Sequence, residues 1–226
     1  MKAMILAAGR GERMRPLTDT TPKPLLKVAG KALIEYHIMA LVKAGIKDIV
    51  INTAWLGEQI RTYLGDGSKY AVNIQYSDEG EQALETAGGI IKALPLLCED
   101  SNQNFVVING DIWCDYDFSD LPASFDGWAH LIMVDNPQHH SEGDFSLQDS
   151  GYLSVEGEGK LTFSGIGLYH SMLFENITEK IKPLAPLLRE SMQQKKITGE
   201  YYSGTWLDIG TPERLLELNQ SVDSGH

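Results

Sequence analysis

The feature that most constrains this chain is a regular alternation, from Met1 to Asp111, of short apolar runs with segments of helical spacing. Ala3 to Leu6 reads as a buried strand, followed by a Gly-, Pro- and Thr-rich loop from Ala7 to Pro24. The spacing predicts a helix over Leu33 to Val42, closed by Gly45, and a strand over Asp48 to Asn52. Trp55 to Leu64 is the next helix, stopped by Gly65. Then come a strand over Val72 to Tyr76, a helix over Thr86 to Leu94 ending before Pro95, and a strand over Phe105 to Ile108. Strands and helices in strict turn imply a Rossmann-like α/β fold, with a mixed, mainly parallel sheet and helices on both faces. In such sheets ligands bind beyond the carboxyl ends of the strands.

After Asp115 the rhythm changes. His130 to Val134, Asp144 to Leu147, Tyr152 to Val155 and Leu161 to Leu168 are strand-like. Helix returns over Leu184 to Gln193, a strand over Trp206 to Asp208, and a last helix from Pro212 to Asn219, with Thr211 and Pro212 as N-cap and first turn. We expect one domain over 1–226, its nucleotide-binding half in 1–115 and a sugar-phosphate-binding half in 116–226. Order is expected up to the last few residues, Ser221 to His226.

Thirty-one acidic residues against 19 basic give a formal charge of −12. A surface so acidic disfavours nucleic acid as a partner. Cys98 and Cys114 match neither a zinc nor a redox spacing. The absence of a signal-like or membrane-length apolar run leads us to expect a cytoplasmic protein with no membrane partner, as a monomer or small homo-oligomer.

Against that acidic background, Arg10, Arg13, Arg15, Lys23 and Lys27 form a positive island in the first loop. The loop runs Leu6-Ala7-Ala8-Gly9-Arg10-Gly11-Glu12-Arg13-Met14-Arg15-Pro16-Leu17-Thr18, then Thr21-Pro22-Lys23-Pro24-Leu25. Glycines directly after a strand let backbone N–H groups approach an anion. Arg13 can fork two donors onto phosphate, and Lys23 adds a compact charge between two prolines. A dinucleotide fingerprint would need glycine where Met14 stands, and the Gly-Lys-Ser/Thr of a P-loop is missing.

This string resembles the signature of the sugar-1-phosphate nucleotidyltransferases, and the similarity extends through Ala54-Trp55-Leu56-Gly57, Asn109-Gly110-Asp111, Phe163-Ser164-Gly165-Ile166 and Trp206-Leu207-Asp208-Ile209-Gly210-Thr211. Leu84-Glu85-Thr86, Asn136-Pro137 with His139-His140, and Gly143-Asp144-Phe145 are similar to the branch that transfers uridylyl groups to N-acetylmuramate 1-phosphate in cell-wall recycling. The resemblance implies a nucleoside triphosphate and a sugar 1-phosphate as substrates, pyrophosphate as product and Mg2+ as cofactor. Mannose-1-phosphate guanylyl transfer, phosphocholine cytidylyl transfer and a non-catalytic nucleotide-sugar sensor stay open.

The resemblance makes Asp111 and Asp208 the Mg2+ ligands; both end apolar runs, and two carboxylates completed by water and phosphate suit that ion. Each taken alone also reads as a turn acceptor or helix cap. Arg13, Lys23, Asp111 and Asp208 are the expected catalytic set. Expected nucleotide contacts are Ala7, Ala8, Gly9, Gly11, Glu12, Arg13, Lys23, Glu81, Thr86, Gly88 and Asn109. Glu85 stands where many relatives carry glycine. The region Val155 to Lys160 lacks the Glu-Lys-Pro element with which many relatives hold the sugar, which leaves Asp144, Gly165 and Asp208 as sugar-phosphate candidates. His139 and His140 read as solvated loop residues, and Trp113 and Trp206 as core or pocket wall.

Overall fold

The computed structural model describes residues 1–80, 83–99 and 102–223. Its strands are β1 (Lys2–Leu6), β2 (Lys27–Val28), β3 (Lys31–Ala32), β4 (Asp48–Thr53), β5 (Asn73–Asp78), β6 (Asn104–Asn109), β7 (Ile112–Cys114), β8 (Ala129–Val134), β9 (Ser146–Leu147), β10 (Leu153–Ser154), β11 (Thr162–His170), β12 (Ile197–Tyr201) and β13 (Trp206–Asp208). The helices are α1 (Leu33–Lys43), α2 (Gly57–Leu64), α3 (Glu85–Leu97), α4 (Leu184–Gln193) and α5 (Pro212–Asp223).

Seven strands form one sheet in the order β12-β8-β11-β6-β1-β4-β5, and both halves of the chain contribute to it. The pairs β1–β4, β1–β6, β4–β5 and β8–β12 are parallel; β11 alone runs against its neighbours β6 and β8. The expected mixed, mainly parallel sheet is therefore what the chain forms. Side-chain alternation divides the core between the two faces. Ala3, Ile5, Ile49, Ile51, Val106 and Ile108 pack with Ile34, Ile38 and Leu41 of α1 and Ile60 and Leu64 of α2. Met4, Val50, Phe105 and Val107 point the other way, onto Ala87, Ile90 and Ala93 of α3 and Leu188 and Met192 of α4.

Three expectations need correction. Helix α3 does not stop before Pro95 but runs to Leu97 with Pro95 inside it. A proline in the last turn forfeits one hydrogen bond only, and Cys98 N still donates to Leu94 O (2.9 Å). Helix α5 continues through Ser221 and Val222, where we expected order to end; Val222 packs on the small cluster of Met14, Leu26, Val28, Leu33, Ile209 and Leu218. The edge strand β12 was not expected at all. Its sequence Ile-Thr-Gly-Glu-Tyr has no run of apolar side chains, and it pairs with β8 through the backbone.

Strands β1 and β6 are neighbours, β1 continues the sheet toward β4 and β5, and β6 continues it the other way. The loops leaving β1 and β6 diverge there, which opens a crevice beyond their carboxyl ends.

Candidate active site

That crevice is a cleft of about 460 Å³. Its wall is built from the residues after β1 (Ala7 to Met14, with Lys23 and Pro24), the end of β4 (Asn52), the residue after β5 (Glu79), the start of α3 (Ala83, Glu85, Thr86), the residues after β6 (Asn109 to Asp111) and Gly210. Of the expected nucleotide contacts, Ala7, Ala8, Gly9, Gly11, Glu12, Arg13, Lys23, Thr86 and Asn109 share this cleft. Glu81 lies outside the described residues. Gly88 lies elsewhere: its N–H donates to Lys182 O (3.1 Å), and a side chain there would meet Lys180 O at 2.6 Å. Its smallness serves the packing of the 180–182 segment on α3.

The loop after β1 is folded as three short 3-10 turns, Glu12–Met14, Leu17–Asp19 and Lys23–Leu25. Arg10 is not free for a ligand. Its guanidinium lies over the Trp55 ring (4.0 Å to the centroid), donates to Thr18 O (2.8 Å) and pairs with Asp19 (3.0 Å). Arg15 also pairs with Asp19 (2.8 Å). Together the two guanidiniums hold the Asp19 carboxyl below its ordinary range. Trp55 Nε1 and Gln59 of α2 donate to Thr18 O and Thr20 O, tying the far side of the loop to α2. Arg13 is different. It is exposed and has no carboxylate partner among the described residues, so its charge is uncompensated at the cleft mouth.

Lys23 is buried, and its Nζ lies 2.7 Å from Asp111 Oδ2. Asp111 follows β6 after Gly110 and lines the cleft. The two-stranded ribbon of β7 and β13 brings in the distant aspartate: Asp208 sits opposite Ile112, and Ile209 N donates to Asp111 O (2.9 Å). Asp208 Oδ2 accepts from Arg214 of α5 (2.6 Å) and lies 3.2 Å from His139 Nε2. A side chain on Gly210 would stand 2.8 Å from Asp208 Oδ1 and 3.3 Å from Arg13 Nη2, so the carboxylate and that guanidinium border the same small space. Arg13, Lys23 and Asp111 thus line the cleft, and Asp208 lies beside Gly210, which lines it too. Among the described residues no three His, Cys, Asp or Glu side chains form a ready-made metal cage. A cation held by the two aspartates would need water or phosphate oxygens to complete its shell.

His37 of α1 is fully buried, and burial pushes its imidazole down to about 4. Its ring is therefore neutral near pH 7.

The sugar-phosphate candidates gather around the start of β11. Asp144 accepts from Phe163 N (2.8 Å) and from His140 Nε2 (3.1 Å). Gly165 has φ +83°, and a Cβ there would lie 2.5 Å from Asn109 Nδ2; only glycine lets β11 bend over Asn109 at that point. Trp206 Nε1 donates to Ser164 O (2.8 Å), while Trp113 packs edge-on to Tyr36. Both tryptophans pack on core clusters, Trp206 on the main one and Trp113 on the small one around Met14. His139 and His140 are not merely solvated: each leans on one of the candidate aspartates.

Three participants were missed in the sequence. Arg214, in the first turn of α5, belongs to no motif singled out in the sequence. Asn52 and Glu79 are buried polar residues on the cleft wall, joined by a hydrogen bond of 2.7 Å. A polar residue closing an apolar strand was the available signal for Asn52.

A phosphate-seeking loop, a paired lysine and two aspartates at the end of a mainly parallel sheet define a nucleotidyl-transferring protein. The chain belongs to the nucleotidyl transferase family, whose model matches residues 2–145. It is 54% identical over 227 residues to an N-acetylmuramate alpha-1-phosphate uridylyltransferase of Neisseria meningitidis, covering 96% of each chain. It is 33% identical to a mannose-1-phosphate guanyltransferase of Gibberella zeae, over 96% of this chain and 62% of that one. In structure it is similar to HddC of Yersinia pseudotuberculosis complexed with GMP-PN, with a TM-score of 0.78 at 20% identity over 98% of this chain and 99% of the other. The last likeness concerns the fold alone.

Proposed function

We propose that the protein transfers a uridylyl group from UTP to N-acetylmuramate 1-phosphate and releases pyrophosphate, acting in the cytoplasm with Mg2+. The observation that supports this chemistry is the Lys23–Asp111 pair in the cleft lined by the loop after β1, with the β7–β13 ribbon bringing Asp208 onto the strand paired with the one that follows Asp111. The choice of base and sugar rests on the Neisseria relative.

The two reactants are anions, so the barrier is largely their repulsion and misalignment. Backbone N–H groups of the loop after β1 and the unpaired Arg13 would draw the β- and γ-phosphates of UTP to the cleft mouth. Lys23, fixed by burial and by Asp111, would face the α-phosphate. Asp111 and Asp208 would hold Mg2+, which when bound supplies further neutralising charge to the reacting phosphates. A phosphate oxygen of the sugar 1-phosphate attacks the α-phosphorus in line; the bond to the bridging oxygen breaks, and pyrophosphate leaves toward Arg13. The nucleophile is already ionised, so no general base is needed.

The test is pyrophosphate release over a panel of triphosphates and sugar phosphates. UTP with N-acetylmuramate 1-phosphate should give the highest kcat/KM. A higher value for GTP with mannose 1-phosphate would move the protein to the guanylyl branch, and no release with any pair would leave a sensor.

A further inference from the structure

The loop after β1 and the loop before α3 both line the cleft, and one chain of buried hydrogen bonds joins them. Ala7 N donates to Asn52 Oδ1 (2.7 Å), Asn52 Nδ2 donates to Glu79 Oε1 (2.7 Å), and Leu84 N donates to Glu79 Oε2 (2.7 Å). Asn52 is 3% exposed and Glu79 7%, so water does not stand in for any missing link. Gly89 faces the Glu79 carboxylate so closely that a Cβ there would overlap Oε1.

Both ends of this chain are backbone donors. An amide passes direction along a hydrogen-bond chain, whereas a carboxylate only accepts. Two side chains placed between two N–H groups must therefore include one carboxylate, where direction reverses, and one amide. Two amides force a donor against a donor; two ionised carboxylates force an acceptor against an acceptor. Either mismatch leaves a buried polar group unsatisfied, at about 1–3 kcal/mol.

We propose that Asn52 and Glu79 are positioning residues for nucleotide binding, a two-link relay that sets the gap between the phosphate-holding loop at Ala7 and the loop at Leu84. The relay touches neither the Asp208 ribbon nor the β11 side, so it controls the affinity for the triphosphate and leaves that for the sugar phosphate alone. The inference rests on reading the cleft as the triphosphate site.

The argument fixes the number of carboxylates but not their order. In Asn52→Asp with Glu79→Gln, the aspartate accepts from Ala7 N and from the glutamine amide, and the glutamine oxygen accepts from Leu84 N. The experiment compares the full-length wild type, N52D, E79Q and the double variant N52D/E79Q. It measures UTP binding by calorimetry and steady-state KM for UTP and for N-acetylmuramate 1-phosphate. Each single variant should bind UTP about tenfold more weakly, as one mismatch implies. KM for the sugar phosphate should stay within about twofold, and the double variant should return to within about threefold of wild type for UTP. Folded single variants with wild-type UTP affinity would overturn the relay. So would a double variant no better than the singles, whether it fails in binding or in folding. Binding of UTP by the wild type reports on the cleft itself; a preference for another triphosphate changes the probe and not the expected pattern across the four proteins.

Discussion

The two sides of the cleft are built by different means. On the side we read as the nucleotide site, Asn52 and Glu79 are buried and accept from backbone N–H at Ala7 and Leu84, and buried Lys23 pairs with the Asp111 carboxylate, itself 40% exposed. On the sugar side, Asp208 and Asp144 are held by Arg214, His139 and His140, and the two histidines keep 39% and 40% of their side chains exposed. Buried pairs hold geometry because a lost partner is costly, whereas exposed pairs contribute little and rearrange easily. On that reading the wall held by Asn52 and Glu79 is preformed, while the contacts of the two histidines are free to rearrange.

The largest expected effect tests where the two sides meet. Asp111→Asn and Asp208→Asn should each lower turnover about 10³-fold or more, since each removes charge at the reacting phosphates. Circular dichroism should show an unchanged fold. Near-normal rates in either variant would remove that aspartate from the chemistry.

A second prediction probes the stiffness of the nucleotide side through His37. The unfolded chain takes up its proton near pH 6.5, whereas the folded protein resists until about pH 4. The unfolded state binds the extra proton within that window, so stability is full above pH 6.5 and falls as pH drops toward 4. The loss is at most about 3 kcal/mol. Urea unfolding at pH 7.5 and 4.5 should show a smaller loss in His37→Asn than in wild type. Equal losses in the two proteins would place the acid-sensitive group elsewhere.

The arginines of the first loop separate function from support. Arg13→Ala should lower kcat/KM for the triphosphate about 10- to 100-fold, the worth of charged hydrogen bonds to phosphate, with little change in melting temperature. Arg10→Ala should do the reverse, lowering stability by about 1 kcal/mol through loss of its Trp55 and Asp19 contacts. If both variants lose triphosphate affinity alike, the loop does not divide its charges in this way.

The same contrast explains what could be read in the sequence. The loop after β1 is contiguous, so Gly9, Gly11, Arg13 and Lys23 could be read as one group, and all four line the cleft. Asn52 and Glu79 are 27 residues apart and reveal nothing until β4 and β5 are laid side by side. Arg214 and His139 converge on Asp208 only through the β7–β13 ribbon. Strand β12 escaped because Thr198, Gly199 and Glu200 show no apolar run; backbone pairing with β8 decides it. Glu85, which stands where many relatives carry glycine, adopts φ +62° on the cleft wall, a conformation that glycine would take without strain.

The smallest effects expected are those of the histidines, and they bear most directly on the difference between the two sides. His139 and His140 each make one contact to an aspartate at the surface, worth no more than about 1 kcal/mol. His139→Ala and His140→Ala should therefore raise KM for N-acetylmuramate 1-phosphate by about fivefold at most, and leave KM for UTP unchanged. Asp144 retains Phe163 N as a donor, and Asp208 retains Arg214, so neither carboxylate is released by losing its imidazole. A loss beyond tenfold in either variant would mean that the imidazole itself holds the sugar phosphate. The β11 side would then be as rigidly prepared for its ligand as the wall pinned by Asn52 and Glu79.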